Sequence, residues 1–229
     1  MDQPLRDDES VTPSGTPTAL PDPDPSAEAS GDAPPVSATG HGRDWLEPVS
    51  RRPLPVALVA AAVVAVLAVR IGLRPELAAF CYLGVVGAVL AFIDAALHRL
   101  PDPLTLPSYP IGAALLGIAV PFTDDGGTRY LHALAGLGAL LLLFVVQWVI
   151  TADAIGLGDV KLSGVLGLYL GWLGSSAWVM GVFAMFVLGG VYAVGLLVTR
   201  RATRKSAIPF GPFMLAGALA AVVSYGGQY

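Results

Sequence analysis

Leu77-Ala78-Ala79-Phe80-Cys81-Tyr82-Leu83-Gly84-Val85-Val86-Gly87-Ala88-Val89-Leu90-Ala91-Phe92-Ile93-Asp94-Ala95-Ala96-Leu97 carries a single charged side chain, Asp94. About 20 consecutive apolar residues suffice to carry a helix across a bilayer, and this run has that length with no polar face. It is one of seven apolar segments that follow Arg51 and Arg52, at about 54–72, 77–97, 106–122, 130–151, 160–174, 176–198 and 208–226. The fold they predict is an all-α, polytopic membrane helix bundle with about seven transmembrane segments, six to eight being compatible with the pattern. The fifth segment is shorter than the ~17 residues usually needed to span, which predicts a helix that is partly re-entrant or water-facing.

Composition agrees with lipid as the solvent. Of 229 residues, 55% are hydrophobic and 13% charged, against about 25% charged in a soluble domain, and the mean hydropathy is +0.68. The formal charge of −4 conceals a division. Residues 1–50 hold most of the carboxylates, nine prolines and one aromatic, Trp45, whereas residues 51–229 are net basic. A Pro-, Asp- and Ser-rich stretch cannot bury enough apolar surface to offset its ordering entropy, so 1–50 is expected to be a disordered cytoplasmic tail ahead of a membrane-embedded domain at 51–229. It lacks the basic and apolar regions of a signal peptide. Cys81 stands alone and reads as a small buried hydrophobe, since one cysteine makes neither an intrachain disulfide nor a Cys-based zinc site.

Loop charges set the expected orientation. With the N-terminus inside, Arg51, Arg52, Arg99, Lys161, Arg200, Arg201, Arg204 and Lys205 are cytoplasmic, and only Arg70, Arg74 and Arg129 fall outside. Small residues at helical spacing, Gly84 and Gly87, Gly136 and Gly138, Gly164 and Gly167, Gly189 and Gly190, predict close helix packing in lipid.

The carboxylates of 51–229 are Glu76, Asp94, Asp102, Asp124, Asp125, Asp153 and Asp159. An ionisable group at membrane depth costs at least ~2.5 kcal/mol, so each is a functional candidate until a plainer role is found. Asp124 and Asp125 sit in a hydrophilic turn and Glu76 in a short loop, where solvation is the plainer role. Asp94 closes an apolar run, and Asp159 ends Gly156-Leu157-Gly158-Asp159. The topology puts both on the cytoplasmic side at similar depth. Two facing carboxylates sharing one proton form an acid–base pair able to activate water. The plainer reading is two hydrated helix-end aspartates. Gly156 and Gly158 would let the backbone approach closely.

At these residues the chain resembles a known family. Ile93-Asp94-Ala95-Ala96-Leu97-His98-Arg99-Leu100-Pro101-Asp102-Pro103-Leu104-Thr105-Leu106-Pro107 is similar to the first aspartate motif of the type IV prepilin peptidases. Gly156-Leu157-Gly158-Asp159-Val160-Lys161-Leu162 is similar to their GxGD motif, and Ile208-Pro209-Phe210-Gly211-Pro212-Phe213 to their C-terminal PFGP element. The three occur in order within about 80–225. The resemblance implies a multi-pass protein of a bacterial-type plasma membrane. It implies an aspartic endopeptidase that removes the leader of prepilin-like or pseudopilin precursors, in pilus biogenesis or protein secretion. Asp94 and Asp159 would be the catalytic pair. Pro101, Asp102, Gly156, Gly158, Lys161, Pro209, Gly211 and Pro212 would support the loops, with Lys161 equally readable as a positive-inside anchor and His98 as interfacial. No metal, organic cofactor or nucleic acid is implied; the partners are the precursor and the bilayer, and the oligomeric state is open.

One departure stands out. Larger members carry a cytoplasmic insert with paired cysteines after the first helix, associated with N-methylation of the product. Here the first two segments are joined by a few residues without a cysteine pair, so a peptidase-only form is expected, without N-methyltransferase activity. The alternatives are a transporter using intramembrane aspartates, although no duplicated halves are seen, a non-catalytic scaffold of the same fold, and a GxGD protease of the presenilin type. The last places its first aspartate after a tyrosine, where this chain has Ile93.

Overall fold

A computed structural model describes residues 44–151, 155–199 and 209–228. The described residues contain no strand. Eight α-helices follow one another: α1 Glu47–Arg51, α2 Pro53–Ile71, α3 Leu77–Leu97, α4 Asp102–Ala119, α5 Gly126–Thr151, α6 Leu157–Trp172, α7 Ser175–Val198 and α8 Gly211–Tyr225. Helices α2 to α8 correspond one for one to the seven apolar segments. Five of them, α2, α3, α4 with its 3-10 extension to Phe122, α5 and α7, are long and apolar enough to cross a bilayer. The chain is an all-α polytopic membrane protein. Asp153, the basic cluster Arg200, Arg201, Arg204 and Lys205, Ile208 and most of the N-terminal tail lie outside the described residues.

The start of the folded part differs from expectation. Asp44–Leu46 form a 3-10 turn and Glu47–Arg51 the first helix, inside the stretch read as tail. Pro48 suits a first helical turn, where its missing N–H costs nothing, and Arg51 pairs with Glu47 one turn back at 2.5 Å. Trp45 is half-buried, so composition averaged over 50 residues hid a short apolar anchor at their end.

The organising element is α6. Every residue from Leu162 to Leu173 is buried, as expected for a helix that is apolar all round. Helices α4, α5, α7 and α8 all contact it. It has 16 residues, so the short fifth segment is a core helix that exchanges lipid for protein along its length. The closest crossing is with α5. A Cβ on Gly136 would fall 2.6 Å from the Gly167 carbonyl oxygen, and one on Gly167 would collide with the backbone of Gly136 and Leu137. Trp178 closes this contact by donating its Nε1–H to the Gly136 carbonyl at 3.1 Å.

The glycine pairs separate into those the packing uses and those it does not. Gly84, Gly87 and Gly164 each lie under a side chain from another helix and Gly189 under Phe210 just ahead of α8, whereas Gly138 and Gly190 face open space. Glu76 also differs from its reading as a solvated loop residue. It is 3% exposed, with Oε2 buried and unpartnered among the described residues, at the end of α3 opposite Asp94. Its charge alone does not reveal this burial. Asp124 and Asp125 are exposed as expected.

Candidate active site

Three helix ends meet at one end of the bundle. Asp94 lies in the last turn of α3, 4% exposed. Helix α3 stops four residues later because His98 adopts a left-handed conformation, φ 51°, and returns its N–H to the Asp94 carbonyl at 2.8 Å. The chain then passes through buried Leu100 and extended Pro101, which caps α4, so that Asp102 opens that helix. Asp159 lies in the first turn of α6, half-buried, outside the five helices long enough to span. Gly211, the first residue of α8, donates its backbone N–H to Asp94 Oδ2 at 3.0 Å.

Each sequence motif has a structural reason. A Cβ at Gly211 would sit 2.8 Å from Asp94 Oδ2, so any side chain there would push the carboxylate away from the Gly211 N–H. Pro212 follows it in the first helical turn, where no N–H is required. Phe210 fixes the approach by packing against Phe144 and Phe186, with ring centroids 6.2 and 5.8 Å away, and by covering Gly189. Pro209 leads into this seat and is half-buried. Gly158 lets α6 press against the first motif, since a Cβ would meet Leu100 Cβ at 2.8 Å. Gly156 differs. It caps α6 with φ −69°, and a Cβ would make only ordinary contact, 3.6 Å from Asp159 Oδ2. The close approach expected of both glycines is therefore made by Gly158 alone, while Gly156 contributes its N–H to the Asp159 carboxylate.

The electrostatics couple the two aspartates. Burial pushes the Asp159 carboxyl up to about 7, and the neighbouring Asp94 charge adds to the rise, against the Gly156 hydrogen bond that lowers it. Asp94 faces the N-terminus of α8, whose free N–H groups carry partial positive charge. The described residues thus bring together, at one point, the two carboxylates singled out in the sequence.

Lys161 reaches across to Asp102, Nζ to Oδ1 at 2.6 Å, and ties the start of α4 to the start of α6. A second tie was not legible from the motifs. Tyr109 donates its hydroxyl hydrogen to the Lys161 carbonyl at 2.5 Å and lies over Gly164. The available signal was its position seven residues after Asp102, which is the same face of α4. Both side chains of the Asp102–Lys161 pair are substantially exposed, at 54% and 35%, so the pair's stability contribution is small, ~0–1 kcal/mol, and its consequence is positional. Lys161→Ala and Asp102→Ala are each expected to slow turnover by about tenfold through misplacement of Asp159, with little change in thermal stability. The exchange Asp102→Lys with Lys161→Asp should recover part of the rate. Single variants with wild-type rates would show that the pair positions nothing.

The sequence profile of the Type IV leader peptidase family matches residues 81–194, which hold Asp94, Asp102, Asp159 and Lys161. The chain belongs to the type IV leader peptidase family. Among similar proteins of this family, the prepilin leader peptidase/N-methyltransferase of Aeromonas salmonicida is 34% identical over 128 residues, covering 55% of this chain and 42% of that one. The protein of that name from Burkholderia pseudomallei is 32% identical over 154 residues, 64% of this chain and 47% of the other. That from Escherichia coli is 30% identical over 147 residues, 61% and 58%. The chain thus spans about half the length of these curated leader peptidase relatives. No solved structure matches it.

Proposed function

We propose that this chain is an intramembrane aspartic endopeptidase that removes the leader from prepilin-like or pseudopilin precursors, with Asp94 and Asp159 as its catalytic pair. The observation that carries this reading is the meeting of the two motif aspartates at one end of the bundle. There Gly211 donates to Asp94, and the Asp94 charge raises Asp159. The aspartates face the cytoplasm, where the precursor's basic leader remains while its apolar stretch enters the membrane, and the bulk of the loop bases fall on that side. The membrane domain comprises residues 51–229, with the N-terminal tail cytoplasmic and dispensable for chemistry.

The mechanism follows from the environments of the two acids. Asp94, beside the N-terminus of α8, is the ionised base that takes a proton from water. Asp159 holds the shared proton and donates a hydrogen bond to the scissile carbonyl, where negative charge develops. Asp102, Lys161, Pro101, Pro209 and Pro212 hold the three helix starts in register. The test is co-expression with a candidate precursor, comparing the native enzyme with its Asp159→Asn variant; cleavage by the variant would remove the reading.

The pair predicts a bell-shaped dependence of rate on pH. Above the Asp159 value of about 7 the proton is lost and the rate falls, tenfold per pH unit at the limit. At acid pH Asp94 is protonated and the base is lost. Cleavage of purified precursor in detergent, measured across pH with a check of enzyme integrity, reports both limbs. A rate flat far into alkaline pH would mean that the doubly ionised pair is competent.

The chain is also proposed to cleave without methylating. Only residues 72–76 join α2 to α3, so a cysteine-paired insert has no place there. A mature subunit produced with this enzyme alone should show a free N-terminal amine by mass spectrometry. A gain of one methyl group, in a host without other methylases, would overturn this.

A further inference from the structure

An apolar groove of about 170 Å³ opens between α2, α3 and α8. Its floor is one stripe of α3, Phe80, Gly84, Gly87 and Ala91, spaced four, three and four residues apart. Asp94 is the next member of that stripe, three residues on. The α8 wall begins at Pro212, whose preceding residue Gly211 gives its N–H to Asp94. Floor and wall therefore converge on the Asp94–Gly211 hydrogen bond. From Phe80 to Asp94 the stripe covers about 21 Å at 1.5 Å per residue. At about 170 Å³ it is too small to enclose a helix whose full diameter is about 10–12 Å. It fits a row of side chains from a helix lying along it.

We infer that this groove docks the apolar helix of the precursor, the segment that begins just after the cleaved bond. The inference rests on the endopeptidase reading above. A lipid chain could fill an apolar groove anywhere on the bundle, but the position of this one selects the substrate. A peptide held with its scissile bond at Asp94 and its apolar stretch descending into the bilayer must leave the aspartates in this direction. The groove begins beside Asp94, at Ala91 and Pro212, and runs that way. Val59 and Ala216, both exposed, flank the mouth of the groove, where side chains of the substrate helix would enter over the buried glycines.

The test is cysteine cross-linking in the full-length protein with Cys81→Ala, and with Asp159→Asn so that bound precursor stays intact. Val59→Cys and Ala216→Cys place thiols on the α2 and α8 sides of the groove, and Val179→Cys, exposed on α7, is the control. A purified precursor carrying single cysteines along its apolar stretch should cross-link at 59 and 216 with a period of three to four residues, and not at 179. In the enzyme with both aspartates, Ala216→Trp should raise KM for the precursor about tenfold with kcat little changed, since it removes binding common to ground and transition states. An active parent enzyme with no groove cross-links, or with equal ones at 179, overturns the docking site and leaves the catalytic reading standing. Groove cross-links in a protein whose native aspartates cleave nothing overturn the catalytic reading instead.

Discussion

Asp94→Asn and Asp159→Asn are each expected to abolish leader cleavage while leaving the protein inserted and folded. Asparagine keeps the size of the side chain and can still accept the Gly211 N–H at 3.0 Å, so packing around position 94 survives. The capacity to take or give a proton does not. General acid–base catalysis alone contributes about 10²- to 10⁴-fold, and a pair acting as one unit loses nearly all of it when either member is removed. The double variant should therefore be no slower than either single one. Asp124→Asn and Asp125→Asn, in an exposed turn, should leave the rate unchanged. Quantitative precursor processing by either Asn variant would exclude the aspartyl mechanism. Loss of the folded protein from the membrane would instead assign that aspartate a structural role.

Gly167→Val should be the most damaging substitution for stability. The atoms that a Cβ on Gly167 would meet are all backbone, the Gly136 carbonyl group and Leu137 Cα at 3.0 Å, so no side chain can rotate out of the way. Helix α5 would have to move off α6, and α6 carries Asp159. Overpacking a close contact costs about 1–3 kcal/mol and occasionally more, and a backbone-to-backbone crossing belongs at the upper end. Gly138→Val is the matched control: it lies on the same helix as Gly136, and its Cβ would meet nothing within 4 Å. Thermal unfolding in detergent should show a large drop for Gly167→Val and almost none for Gly138→Val. Equal stabilities would mean that the α5–α6 crossing is looser than the backbone approach requires.

The sequence by itself determined the class of fold and the cast of the site. Apolar runs long enough to cross lipid leave helices as the available structure, because an unpaired backbone group has no partner in hydrocarbon. Carboxylates are costly at membrane depth, so Asp94 and Asp159 stood out against a nearly uncharged background, and the motifs around them brought Asp102, Lys161 and Gly211 into view. Sequence could not say which glycines were structural. Gly136 and Gly138 read alike, and so do Gly156 and Gly158, yet one of each pair lies in a tight contact and the other does not. It also read Glu76 as solvated when the side chain is buried, and gave no account of Tyr109. The reason is common to all of these. Composition and spacing report what a residue can tolerate along its own helix, whereas a close crossing, a cross-helix hydrogen bond or a groove beside Asp94 depends on which neighbour arrives. That was settled only when α6 took the centre of the bundle and drew the ends of α3, α4 and α8 around its first turn.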